Sequence, residues 1–270
     1  FDTGVLFCSE SKRRVIPMRS LVFSLFAVSL MLMFCSAAKA VDESLVLFLS
    51  LDEGKGVEVK DSSPHKNDGT LEGKVPEWVE GKRGDALKFA GGIIKVPHDD
   101  SLNLAGAHTI SFWLKWDGQG ASWSPIIAKR PVGAVDPDNY SVWVGKDQIW
   151  DYRTDNSKVS AKTKIELGKW VFLTLTHDGK QTVTFYIDGI KDVAVEAKPG
   201  FANDAPFVVG SGKGGEGDMG HGNLDEMVLF NRALAPGEVR TLMNEGGRPF
   251  WAVEPAGKLT TTWGRIKNNF

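Results

Sequence analysis

Short apolar runs recur at roughly ten-residue spacing through most of this chain, punctuated by Gly, Asn and Asp. Residues 109–116 set the pattern. Ile110, Phe112, Leu114 and Trp116 share one face, and Ser111, Trp113 and Lys115 share the other, the two-residue period of a strand. Residues 139–144 and 148–154 are expected to pair across Gly145-Lys146-Asp147. Residues 170–176 and 182–188 pair across His177-Asp178-Gly179-Lys180, where Asp-Gly supplies a tight turn. Further strands are expected at 45–51, 86–89, 92–96, 125–129, 191–196 and 207–210. Only 235–243 keeps a helical period, with Pro236 near its start. Such a chain is constrained to an all-β, two-sheet antiparallel sandwich or jelly roll with one short C-terminal helix.

The N-terminal segment is built differently. Met18-Arg19 precedes an apolar run over 20–34, and Ala38-Lys39-Ala40 follows. That layout is a secretory signal peptide cleaved after Ala40, with Met18 as the expected start. The run falls short of the ~20 residues a membrane span needs. A lipid anchor at Cys35 is disfavoured by bulky Phe34 before it. Residues 1–40 are therefore assigned to the signal peptide and upstream sequence, 41–247 to one folded domain and 248–270 to a tail. Both cysteines, Cys8 and Cys35, precede residue 41, so the expected core stands without disulfides. From 41 onward there are 27 Lys and Arg against 32 Asp and Glu, a net charge of −5. With no basic block, nucleic acid is not the expected partner. The expected location is secreted or periplasmic, with no membrane span after processing.

Reactive constellations are scarce. Acids come as adjacent pairs, Asp52-Glu53, Asp99-Asp100 and Asp225-Glu226, and strand neighbours point to opposite faces. A glycosidase pair needs two carboxylates on one face. There is no Gly-x-Ser-x-Gly elbow, no His-Glu-x-x-His and no phosphate-binding loop. The five histidines, His65, His98, His108, His177 and His221, fall in or beside turns and are expected on the solvated surface. Trp113 and Trp143 lie opposite the apolar faces of their strands and are the best stacking platforms for a sugar. Trp123 could rim the same site. Trp150 and Tyr152 share a face and are expected in the core. Polar groups to orient a ligand lie in the 130–139 loop, which begins at Arg130 and ends at Asn139, and in the Gly-rich 211–221 loop.

The order of motifs resembles a family. Gly84-Asp85-Ala86-Leu87-Lys88-Phe89 resembles the G-x-A-L-x-F segment of laminin-G-like, concanavalin A-like jelly rolls. Thr109-Ile110-Ser111-Phe112-Trp113-Leu114-Lys115 resembles their T-I-S-x-W-V-K strand. Trp170 through Asp178-Gly179, then Phe185-Tyr186-Ile187-Asp188-Gly189, resembles their central hairpin. Residues 222–234, with Asp225-Glu226 and Asn231-Arg232-Ala233-Leu234, resemble G-x-I-D-E-V-x-I-F-N-R-A-L, and Glu238-Val239 follows at the usual place. The resemblance spans about 45 to 247. It implies a concave face that binds sugars or other extracellular ligands in relatives. It also implies a structural calcium, with Asp225 as one side-chain ligand and Asp61 or Asn67 as another, since calcium takes hard oxygens. The same placement makes Asp225 a latch to the early 61–69 loop, with or without the ion.

The expected function is thus a non-catalytic, lectin-like extracellular module whose partner is a glycan or a matrix or cell-surface ligand. The candidate ligand-binding residues are Trp113, Trp143, Trp123, Arg130 and Asn139, and the candidate metal ligands are Asp61, Asn67 and Asp225. Two alternatives are an adhesion module with a protein partner and a polysaccharide-acting enzyme with a dispersed site.

Overall fold

Alternation in residues 109–116 becomes a central strand. Ile110, Phe112, Leu114 and Trp116 all point into one large core, while Trp113 faces away into a second, smaller one. The computed structural model describes residues 41–118, 123–131, 139–154, 157–212, 219 and 221–251, the last by backbone alone. The segments 1–40 and 252–270 lie outside the described residues.

The chain begins with β1 (Leu45–Leu49), β2 (Glu58–Val59), β3 (Gly69–Gly73), β4 (Glu77–Glu80), β5 (Asp85–Ala90) and β6 (Gly92–Val96). Next come β7 (Ala107–Trp116), β8 (Trp123–Lys129), β9 (Tyr140–Gly145), β10 (Trp150–Thr154) and β11 (Ser157–Ser160). Then follow β12 (Trp170–Asp178), β13 (Thr182–Ile187), β14 (Ile190–Glu196), β15 (Phe207–Val209) and β16 (His221–Phe230). Helix α1 (Pro236–Glu245) and a helical turn α2 (Arg248–Trp251) close the described chain.

One sheet runs β14-β13-β12-β7-β16-β5-β4, with β1 also on β16; the other runs β11-β10-β9-β8-β15-β6-β3-β2. All the pairings are antiparallel, as the hairpin spacing predicts. The strands absent from the sequence pattern, β2, β3, β4 and β11, lie at or next to a sheet edge. Half-solvated strands need little apolar patterning, so they leave a weak signal.

The large core fills the space between the sheets. Trp150 and Tyr152 are fully buried in it, as expected from their shared face. The Trp150 ring meets Phe185 edge-on at 4.8 Å, joining one sheet to the other. The smaller core lies on the opposite side of the first sheet. There Val239 and Leu242 of α1 pack on Trp113, Phe172, Tyr186 and Val228. Helix α1 starts at Pro236, and Glu238 accepts the Ala235 N–H at 2.8 Å. The fold continues past the expected boundary at Gly247, because Phe250 packs edge-on against Phe230 at 5.1 Å.

Arg232 joins the start of the described chain to the first turn of α1. Its guanidinium donates to both oxygens of Glu238 (2.8 and 2.9 Å), to Asp42 (2.6 Å) and to Ser44 Oγ (2.8 Å). A planar fork meets a carboxylate in two parallel bonds, which lysine could not do.

Two histidines contradict the surface expectation. His108 and His177 are fully buried, paired across β7 and β12 and stacked at 5.1 Å. Each is satisfied as a neutral ring. His177 Nδ1 accepts the Gly179 N–H, and its Nε2 donates to the Ala197 carbonyl. His108 Nδ1 donates to the Gly106 carbonyl, and its Nε2 accepts the Tyr152 hydroxyl at 2.9 Å. Burial pushes the His108 pKa down to about 3, which keeps it uncharged. The Tyr152–His108 bond ties the two sheets through the core. Tyr152→Phe should leave His108 Nε2 buried without a donor and lower unfolding stability by about 1–3 kcal/mol. Urea denaturation checks this; an unchanged midpoint would remove the bond from the stabilising set.

Candidate functional site

Helix α1 covers the outer face of the first sheet, and Trp113 lies beneath it. Trp113 is 6% exposed, tilted against Phe172 at 5.1 Å, with the Lys82 ammonium 4.5 Å above its ring. It therefore cannot stack a ligand. Sequence reading correctly turned it away from the large core, but the helix that covers it comes more than a hundred residues later.

The outer face of the second sheet is different. Core residues Val142, Val144, Trp150 and Tyr152 fix which side chains of β9 and β10 point outward. These are Ser141, Trp143, Asp151 and Arg153, with Trp123 across from Gly145 on β8. On β11, Ser160 stands opposite Asp151 and Lys158 opposite Arg153. Alternation thus gathers two indoles, two cations, a carboxylate and two hydroxyls on four adjacent strands.

The Arg153 guanidinium lies over both indoles, 4.8 Å from the Trp123 ring centre and 4.5 Å from that of Trp143. The Lys158 ammonium stands 3.9 Å over Trp123. Such cation–aromatic contacts contribute about 0.5–2 kcal/mol each, more when desolvated. Fully buried Asp151 holds both cations, Arg153 at 3.2 Å and Lys158 at 3.4 Å, and accepts the Ser160 hydroxyl at 2.7 Å. The Trp143 indole N–H donates to Ser141 Oγ at 2.9 Å, which fixes its ring. Gly212 passes close over it; an added Cβ would lie 2.7 Å from Trp143 Cζ2. Trp123 keeps partial exposure, whereas Trp143 is 8% exposed, so Trp123 is the more accessible ring.

Asn139 is a structural tie, not a ligand contact. It is fully buried, with its carbonyl oxygen accepting the Leu104 N–H (2.9 Å) and its amide donating to the Phe201 carbonyl (2.7 Å). Arg130 lies just past the end of β8. Most of the two ligand-orienting loops, 132–138, 213–218 and 220, lies outside the described residues. Asp151, Arg153, Lys158 and Ser160 were absent from the expected site. Asp151 and Arg153 were readable as the face opposite Trp150 and Tyr152, but β11, which brings Lys158 and Ser160, was not.

The implied calcium does not fit the residues expected to hold it. Asp61 accepts from the Phe48, Ser63 and Asn67 amides and the Ser63 hydroxyl, at 2.6–2.8 Å. Its oxygen lone pairs thus already face donors. Asn67 aims its amide N–H groups at the Val46 carbonyl (2.9 Å) and Ser101 Oγ (3.0 Å). Asp225 belongs to a different loop, accepting the Arg83 N–H at 2.9 Å. Its latch is to the turn between β4 and β5, not to residues 61–69. Among the described residues no three His, Cys, Asp or Glu side chains converge as a metal cage.

Asp225 and Glu226 are also not on opposite faces. A bulge interrupts β16 between Asp225 and Val228, with Glu226 at φ 50°. Leu224 and Met227 point into the large core, while Asp225 pairs with the outward Trp113 and Glu226 accepts the Gly247 N–H at 3.3 Å. Both acids therefore lie on the outer side. A cavity of about 440 Å³ beside them is lined by Asp52, Arg83, Gly84, Glu226, Glu245 and Arg248. Its charges are largely spent on each other and on backbone: Arg248 faces Asp52 at 3.5 Å, and Arg83 donates to the Met243 carbonyl at 2.7 Å. The bulge thus fastens the β4–β5 turn and the end of α1.

The family match now has a structural setting. The chain belongs to the concanavalin A-like lectin/glucanase superfamily, whose laminin-G family model matches residues 90–240. No curated protein matches it. In fold it is similar to the binding domain of Paraclostridial mosquitocidal protein 1, at 19% identity and a TM-score of 0.59, covering 76% of this chain and 53% of that one. It is similar to the Trypanosoma rangeli sialidase in complex with the inhibitor DANA, at 21% identity and a TM-score of 0.58, covering 84% and 39%. It is also similar to domain 4 of a GH43 extracellular arabinanase from Geobacillus stearothermophilus, in complex with arabinotriose. There the identity is 22% and the TM-score 0.58, over 74% of this chain and 98% of that domain. The chain spans about half the length of the toxin domain. These likenesses show the fold, and among them are binding domains and parts of enzymes.

Two outcomes test the site's construction. Burial, aided by the Glu226 charge and opposed by backbone donors, pushes the Asp225 carboxyl up to about 7. Unfolded, it would ionise near 3.8. A raised carboxyl favours the fold most below its unfolded value, and that contribution is lost as pH rises through the folded value. Asp225→Asn should therefore gain melting temperature relative to the parent as pH increases from about 5 to about 8. A difference independent of pH would refute the shift. Gly212→Ala should displace the Trp143 ring, seen as altered tryptophan fluorescence together with a lower melting point. An unchanged spectrum would show that the backbone yields instead.

Proposed function

We propose that this protein is a non-catalytic carbohydrate-binding module that works outside the cell. The observation that carries this reading is the Trp123–Arg153–Trp143 stack on the outer face of the second sheet. Sugars present apolar C–H faces that lie on indole rings, and their hydroxyls need fixed donors and acceptors at the rim. Trp123 offers the part of its partly exposed ring that Arg153 and Lys158 leave uncovered, and those two cations and Ser160 offer polar groups beside it. These groups stand on paired strands, which hold them more rigidly than loops would. The superfamily match and the saccharide or sugar-analogue complexes of the sialidase and the arabinanase domain support the reading. The signal-peptide pattern of residues 18–40 supports the location. Among the described residues no helix is long and apolar enough to cross a membrane.

Catalysis is the weaker reading. The described strands of the platform carry a single carboxylate, Asp151, and it is buried and bonded to two cations and a hydroxyl. Most glycosidases flank the scissile bond with two carboxyl groups.

A glycan array followed by isothermal titration of the best ligand tests the proposal. Trp123→Ala should weaken binding about tenfold or more, equivalent to ~1.4 kcal/mol or more. Trp113→Phe should alter stability while leaving affinity unchanged. Full affinity in the Trp123 variant would overturn the platform. Capture of a protein partner by a protein silent on glycans would favour the adhesion alternative.

A further inference from the structure

The charges of the platform do not balance. Arg153 and Lys158 share one carboxylate, and Asp151 is fully buried beneath them. Among the described residues the cluster thus carries one positive charge in excess, within a chain whose formal net charge is −2. The excess is directed outward, because the Lys158 side chain is 51% exposed and that of Arg153 21% exposed. Neither cation has its hydrogen-bonding capacity filled by Asp151. Lysine carries three N–H donors and arginine five, and those of Lys158 are the more accessible.

Both cations are also held in place. Arg153 lies over two indoles and Lys158 over one. A cation resting on an aromatic face has less room for its own hydration shell, so an arriving anion has less water to displace. A fixed guanidinium also loses little freedom when it binds. A neutral sugar would hydrogen-bond to these cations without neutralising their charge. An anionic group would compensate them with charge-assisted hydrogen bonds.

We infer that the ligand is an acidic saccharide, whose carboxylate or sulfate sits on Lys158 and Arg153 while its ring lies along Trp123. This inference rests on the carbohydrate-binding reading and narrows it. No covalent step is involved, and the shared chemistry is an anion on a sugar ring.

The test uses matched pairs on the purified full chain. Oligogalacturonate is compared with its methyl ester, and a carrageenan oligosaccharide with an unsulfated agarose oligosaccharide. In at least one pair the acidic member should bind about ten- to a hundredfold more tightly, as expected for one or two charge-assisted contacts. That advantage should shrink as salt rises from about 50 to about 300 mM. Lys158→Gln, at an exposed position that should fold normally, should reduce the preference severalfold. Arg153→Gln should reduce it further while weak binding of the neutral member persists. Equal binding of the acidic and neutral members overturns the inference and leaves the carbohydrate reading standing. So does a preference that survives both substitutions. No binding by any member, with an empty glycan array, overturns both. If only the uronate pair discriminates, the anion is a carboxylate; if only the carrageenan pair does, it is a sulfate.

Discussion

Two-sided burial of the first sheet shapes much of what this protein can do. A sandwich already covers one face of each sheet with the other sheet. Here α1 covers the outer face of the first sheet as well, placing Val239 and Leu242 on Trp113 and Phe172. The helix is held there by its Glu238–Arg232 fork and by the close of the chain on Asp42 and Ser44. An aromatic stripe that would otherwise face solvent becomes a second core. The outer face of the second sheet is left to present Trp123, Arg153 and Lys158.

That face is built around a buried charge. Asp151 is removed from water, which is unfavourable unless its oxygens are paired. Ser160, Arg153 and Lys158 pair them, so the carboxylate acts as an internal counter-ion that fixes both cations in position. The bulge in β16 is a second polar device with a different task. There Asp225 and Glu226 hold backbone amides of the β4–β5 turn and of Gly247, which fastens the first sheet to the end of α1. One polar cluster thus organises a surface that can meet a ligand. The other keeps α1 and its covered face in place.

Much of the architecture was legible because side-chain periodicity is a local property. The hairpins β9–β10 and β12–β13, the strand β7 and the helix α1 follow from alternation, turn residues and Pro236. Trp150 and Tyr152 were readable as core from their shared face. Other readings failed for identifiable physical reasons. His108 and His177 flank turns in sequence, yet they are cross-strand neighbours, and each finds one donor or acceptor per ring nitrogen inside the protein. Asn139 resembled a loop donor, but its amide closes the backbone of two distant segments. Asp225 and Glu226 were separated by an alternation rule that a bulge cancels. Asp61 resembled a metal ligand because the oxygens that bind a cation also accept amide protons.

The sequence by itself determined that the chain forms many short antiparallel strands with one late helix, and which side of each strand is apolar. It determined this because strand period, turn chemistry and helix capping act over a few residues. Tertiary structure alone decided what covers each apolar-opposed face. Trp113 and Trp143 are alike in the sequence, each an indole opposite the core face of its strand. Trp113 is covered by an apolar helix face from the far end of the domain, while Trp143, nearly as buried, is covered by Arg153 and Gly212 beside the partly exposed Trp123. The difference between a core residue and a platform residue therefore lies in long-range contacts, which no local pattern encodes.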